Sequence, residues 1–133
     1  MPDKPGSGSI SEEWLLRGEH DLQSARLLYE QEGPTDTIAI LLQQAAEKYL
    51  KGYLLTRGWK LQKTHDLEVL VSQAITYDSK FDRFLDFARI ISAYYIEDRY
   101  PPGPPADYPR EEIAGLMEQT DVLVTLIKET LRQ

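Results

Sequence analysis

Between Pro34 and Gly58, the residues Ile38, Leu41, Leu42, Ala45, Tyr49 and Tyr53 recur at helical spacing, and Ile40, Leu50 and Leu54 widen that stripe beyond a single face. A helix that is apolar around so much of its circumference must have neighbours on more than one side. It is therefore the expected centre of the fold, and the rest of the chain has to supply what surrounds it. Residues 11–31 carry Leu15, Leu22, Ala25 and Tyr29 on one helical face, with Trp14 and Leu28 beside them, until Gly33-Pro34 stops the pattern. The central helix spans 35–56 and ends at Arg57-Gly58. After a linker, Thr64 is placed to cap a short helix with Leu67, Leu70, Val71 and Ala74 on its buried edge. Phe81, Phe84, Leu85, Ala88, Ile91 and Tyr95 then mark a helix from about 81 to about 98. Pro101, Pro102, Pro104 and Pro105 cannot continue it, because proline lacks the amide donor and clashes with the preceding turn. A last helix starts near Pro109 and carries Ile113, Leu116, Met117, Val124, Ile127 and Leu131.

No segment alternates like a strand, and no repeat is visible. The expected fold is all-α: an up-down helical bundle of four main helices plus one short helix. With 133 residues there is room for one core. Residues 1–10, with two prolines and two glycines, read as a disordered tail that Ser9 or Ser11 ends by capping the first helix, and residues 11–133 as the domain. No apolar run approaches the roughly 18 residues that span a bilayer. No leader is visible and no cysteine is present, so neither a disulfide framework nor thiolate chemistry is expected and a cytoplasmic location is the default.

A net charge of −7 argues against a surface coated for non-specific nucleic-acid binding. The distribution is more informative than the sum. Lys48, Lys51, Arg57, Lys60 and Lys63 fall in one stretch that contains no acidic residue, leaving ten basic residues against twenty-two acidic ones elsewhere. Cations near a helix C-terminus are favoured by its dipole, and the functional counterpart is an anion or phosphate site.

Inside the central helix, Gln43, Gln44, Glu47, Lys48 and Lys51 interrupt the apolar pattern. At i,i+4 they can pair along the surface, and where buried they need partners, since an unpaired buried polar group costs about 1–3 kcal/mol. The start of the short helix, with His65 and Asp66, and the end of the fourth, with Asp98, Arg99 and Tyr100, are the candidates. A histidine beside an N-cap is more often structural than catalytic, and His20 reads as solvent-facing; no metal-ligand cluster and no phosphate-cradling glycine loop is present. Arg99 at a helix end can serve the dipole or grip a phosphate or carboxylate, and Tyr100 can fill space or stack on a base.

Taken together, Leu22 and Ala25, the run Gln43 to Lys51 (QQAAEKYLK), the glycine-containing linker, Lys63 to Leu67 (KTHDL) and Arg99-Tyr100-Pro101 resemble the HEPN family, the higher eukaryotes and prokaryotes nucleotide-binding domain, over about residues 11–132. The resemblance implies a helical bundle, commonly homodimeric and without a cofactor, found in prokaryotes beside a minimal nucleotidyltransferase in toxin–antitoxin pairs. It also implies that a nucleotide or RNA is bound, through residues drawn from Lys48, Lys51, His65, Arg99 and Tyr100, with Gln43, Gln44, Glu47 and Asp66 in support. Nuclease members carry an arginine and, after four to six intervening residues, a histidine. After Arg99 those positions are Pro104, Pro105 and Ala106, so the expected role is binding without catalysis. A metal-independent ribonuclease using His65 and Arg99, and a purely structural dimerisation module, are the alternatives. The tyrosines near the end of the fourth helix, Tyr94, Tyr95 and Tyr100, are a candidate dimer patch.

Overall fold

The computed structural model describes residues 7–99 and 107–133, with side chains for 10–94 and 107–133. It contains α1 (Ser7–Glu30), α2 (Thr35–Thr56), α3 (Leu67–Tyr77), a 3-10 segment (Ser79–Phe84), α4 (Leu85–Arg99) and α5 (Arg110–Leu131), and no strand among the described residues. The fold is all-α, as the periodicity predicts. α2 is the centre: α1, α3, α4 and α5 all pack on it, and Ile38, Leu42, Leu50 and Leu54 are completely buried. Each such side chain contributes roughly 1.5–3 kcal/mol by leaving water.

α1 lies antiparallel against α2 at a close approach that two glycines permit. A Cβ at Gly52 would stand 2.7 Å from Leu15 Cγ and 3.1 Å from the Ser11 carbonyl oxygen, and one at Gly18 would stand 3.2 Å from the Ala45 carbonyl oxygen. This register, Ser11 against Gly52 and Gly18 against Ala45, decides which polar residues meet across the pair. At its far end α2 stops where Gly58, at φ 88°, turns the chain left-handed. The amides of Gly58 and Trp59 then donate to the carbonyls of Leu55 and Leu54, the paired bonds of a Schellman stop. α5 runs antiparallel to α1, held by ion pairs from Arg26 to Asp121 and from Lys128 to Glu19. Its start is tied back by the Tyr108 amide, which donates to Thr35 Oγ1 at 2.9 Å, and by Arg110, which donates to the Tyr29 carbonyl at 2.7 Å over the Tyr29 ring.

Several local expectations change. α1 already runs at Ser7, so Ser9 and Ser11 lie within it, and Ser11 is buried against α2; residues 1–6 lie outside the described residues. The N-cap of α3 is Asp66, not Thr64: its carboxylate accepts from the amides of Glu68 and Val69, while Thr64 Oγ1 accepts from the Asp66 amide one step earlier. Phe81 and Phe84 belong to the 3-10 segment rather than to α4. Their spacing of three places both rings on one side of a helix with three residues per turn, and both are fully buried. The proline cluster from Pro101 to Pro105 lies outside the described residues.

Candidate functional site

The polar residues of α2 divide between two sides of the helix. Gln43, Glu47 and Lys51, one per turn, form a buried stripe facing the linker into α3. The Gln43 amide donates to the His65 carbonyl oxygen at 3.3 Å. Glu47 places both carboxylate oxygens against His65 Nδ1, at 3.2 and 3.1 Å, and Oε2 also accepts from Lys51 Nζ at 3.1 Å. The Lys51 side chain is 3% exposed, with Nζ 5.1 Å from the centroid of the Trp14 ring on α1. A buried ion pair costs desolvation on both members, and here the mutual charge, the imidazole and the indole face offset that cost. His65 differs: its side chain is 65% exposed and anchored through Nδ1, and Nε2 has no partner among the described residues.

Lys48 lies on the other side, paired with Asp21 of α1 at 2.6 Å. Gln44 is half-buried and has no hydrogen-bond partner among the described residues. Asp66 stands next to His65 in sequence, but its carboxylate caps α3 and leaves that helix end no free first-turn donor pair for an anion. α4 ends at Arg99, whose side chain, like the whole of Tyr100, lies outside the described residues. The structure thus brings Gln43, Glu47, Lys51 and His65 together, and separates Lys48 from them.

The five cations of the basic stretch have two fates. Lys48 and Lys51 are neutralised by Asp21 and Glu47. Arg57, Lys60 and Lys63 are exposed on the linker, with no carboxylate partner among the described residues, and Arg57 lies 5.2 Å above the Tyr53 ring. The positive surface is therefore the linker that ends at His65, not the face of α2. His20 is exposed, as its position on α1 predicts, and no group of residues suited to a metal ion occurs among the described residues.

Sequence reasoning missed the α1 side of this arrangement. Trp14 covers Lys51 and Asp21 holds Lys48, and both follow from the register at Gly18 and Gly52. A second polar layer joins α1, α2 and α5: Glu19 accepts from Tyr49 Oη at 2.6 Å and from Gln23 at 3.0 Å, with Lys128 Nζ at 3.8 Å. Burial pushes the Glu19 carboxyl upward, but the hydrogen bonds from Tyr49 and Gln23 and the charges of Lys128 and Arg26 outweigh it and hold the group below the usual carboxylate range. Burial, then the Glu19 carboxylate, drives the Tyr49 hydroxyl well above its ordinary value. A groove of about 500 Å³ lies away from these residues, between α4 and α5, and is lined by Phe87, Ile90, Tyr94, Gly115 and Leu116 among others.

A helical bundle with a buried acid–lysine pair at its centre and a histidine at the helix junction is the class that fold and site define. The HEPN domain model matches residues 11–130, and the chain belongs to the HEPN domain family. No curated protein matches it. Among solved structures it is similar to TT1696 from Thermus thermophilus, 25% identical over 90% of this chain and 96% of that one, with a TM-score of 0.76. It shares its fold with ST0689, an archaeal HEPN homologue, at 23% identity, the same coverage and a TM-score of 0.72.

Proposed function

We propose that this HEPN domain is a non-catalytic binding component that engages a nucleotide or RNA and acts, in the cytoplasm, with a minimal nucleotidyltransferase partner in a toxin–antitoxin-like pair. The observation that carries the reading is the set of exposed cations Arg57, Lys60 and Lys63, without a carboxylate partner among the described residues, leading to His65 on an otherwise acidic chain. Phosphate oxygens are what such a strip can take, and the anion site moves from α2 to the linker because Lys48 and Lys51 are already neutralised. Three phosphate contacts to a single strand give a slope of about −2 in a plot of log affinity against log salt. Fluorescence anisotropy with a labelled oligouridylate, competed by nucleoside triphosphates, measures this directly. The double change Lys60→Glu and Lys63→Glu abolishes binding in this reading, while Lys48→Ala leaves it unchanged; no binding of either ligand class ends the reading. Co-purification with a candidate nucleotidyltransferase tests the partner. Homodimerisation belongs to the same reading, with the α4–α5 groove and its half-exposed Ile90 as the apolar face, and light scattering of Ile90→Asp checks it.

A ribonuclease is the second reading, favoured by one contact: a carboxylate holding Nδ1 of an exposed imidazole is how a general base is oriented. It requires RNA cleavage in EDTA that disappears in His65→Ala, whereas the binding reading requires the RNA to be recovered intact.

A further inference from the structure

We infer that His65 makes the linker selective for ribose, by accepting a hydrogen bond from the 2′-hydroxyl of a bound RNA strand; this deepens, and rests on, the RNA-binding reading above. Glu47 is ion-paired with Lys51, so its oxygens can only accept. His65 Nδ1, within 3.1–3.2 Å of both, must therefore donate. A neutral imidazole has one N–H, and with that hydrogen on Nδ1 the second nitrogen, Nε2, carries a lone pair. In that neutral form the buried pair fixes the tautomer, and Nε2 is an acceptor with no proton to offer a phosphate oxygen. What it can take is a hydroxyl or amino hydrogen from the ligand.

The rest of the linker decides between those two donors. Arg57, Lys60 and Lys63 offer contacts to backbone phosphates, next to which every ribose places its 2′-hydroxyl. Base reading from the same surface would use an exposed aromatic platform. Besides His65 itself, whose ring is held at Nδ1 by Glu47, the linker has one aromatic residue, Trp59, and it is 9% exposed and tied to α2 through its backbone bond to the Leu54 carbonyl. The surface therefore reads the sugar–phosphate backbone: cations for the phosphates, and one fixed acceptor for the group that separates RNA from DNA.

Two measurements test this. Nitrogen-15 correlation spectra of the free protein report the His65 tautomer, and an Nε2–H form overturns the inference whatever the protein binds. Anisotropy is then compared for one oligouridylate sequence as ribo, 2′-deoxy and 2′-O-methyl strands, the last keeping the oxygen but losing its hydrogen. The ribo strand binds about three- to tenfold more tightly than either, the size of one net hydrogen bond. His65→Leu, which has no acceptor and leaves Glu47 its Lys51 partner, removes this difference and keeps the salt-dependent binding. His65→Ala does the same where it folds. Equal affinity of the wild-type protein for all three strands, or a ribose preference that survives His65→Leu, overturns the inference and leaves the phosphate site standing. Loss of all binding in the wild type removes that site too.

Discussion

The C-terminal half of α2 and the linker that follows share one basic stretch, yet treat their cations in opposite ways. On α2, Lys51 and Lys48 are drawn into ion pairs, one within the helix and one across to α1. On the linker, Arg57, Lys60 and Lys63 stand in water. The same residue types thus serve packing in the first region and are free to recognise an anion in the second. The difference lies in the backbone. A helix packed on all sides cannot leave a charge without a partner, whereas around the Gly58 turn only Trp59 is drawn into the core and the side chains of Arg57, Lys60 and Lys63 remain exposed.

The comparison can be broken most severely at Lys51. Lys51→Met keeps the volume but leaves Glu47 with only the imidazole, and the expected loss is about 3–5 kcal/mol by denaturant unfolding. The double change Glu47→Met, Lys51→Met removes both charges and restores most of that loss; additive losses would mean that the pair is not coupled. Gly52→Val is next. Its side chain meets Leu15 and the Ser11 carbonyl, and overpacking there costs about 1–3 kcal/mol and shifts the register that brings Trp14 to Lys51.

A smaller effect is tied to pH at Glu19. Its pKa is lowered in the fold, so its contribution to stability is fully present above the unfolded value near 4.5 and is lost as the pH falls through the lower folded value. Tyr49, raised by burial and by Glu19, behaves oppositely at the other end of the scale: its contribution holds below pH 10 and fades as the pH rises above it. Glu19→Gln flattens the acid limb of a melting-temperature profile, and a profile identical to wild type would contradict this. The smallest effect belongs to the linker. Lys60→Glu with Lys63→Glu changes stability by less than about 0.5 kcal/mol while abolishing anion binding, which separates the two regions in one experiment.

How far the site could be read in advance is clearest from single residues. The spacing of Glu47 and Lys51 at i,i+4 announces their pairing, and the apolar setting of the helix requires further partners, for which His65 is a candidate and is found in place. Lys48 has the same apparent credentials and a different fate, because Asp21 reaches it only through the register of α1 on α2. Thr64 and Asp66 are both able to cap α3; the chain uses the carboxylate, which accepts from two amides where the hydroxyl accepts from one. Phe81 and Phe84 fit a helical stripe as well as a 3-10 turn, and only the capping carboxylate of Asp78 and the burial of both rings distinguish them.

The sequence by itself determined the elements: apolar residues at helical spacing, Gly58 at a left-handed stop and Pro34 just ahead of α2 are local facts, decided by backbone sterics and burial within a few turns. It also determined membership of the HEPN family, whose domain model matches residues 11–130. Which cations remain free was decided only by the tertiary structure. An ion pair between Lys48 and Asp21, or an indole over Lys51, depends on distances between helices, and those are set by two glycines in the α1–α2 contact rather than by any property of the lysines themselves.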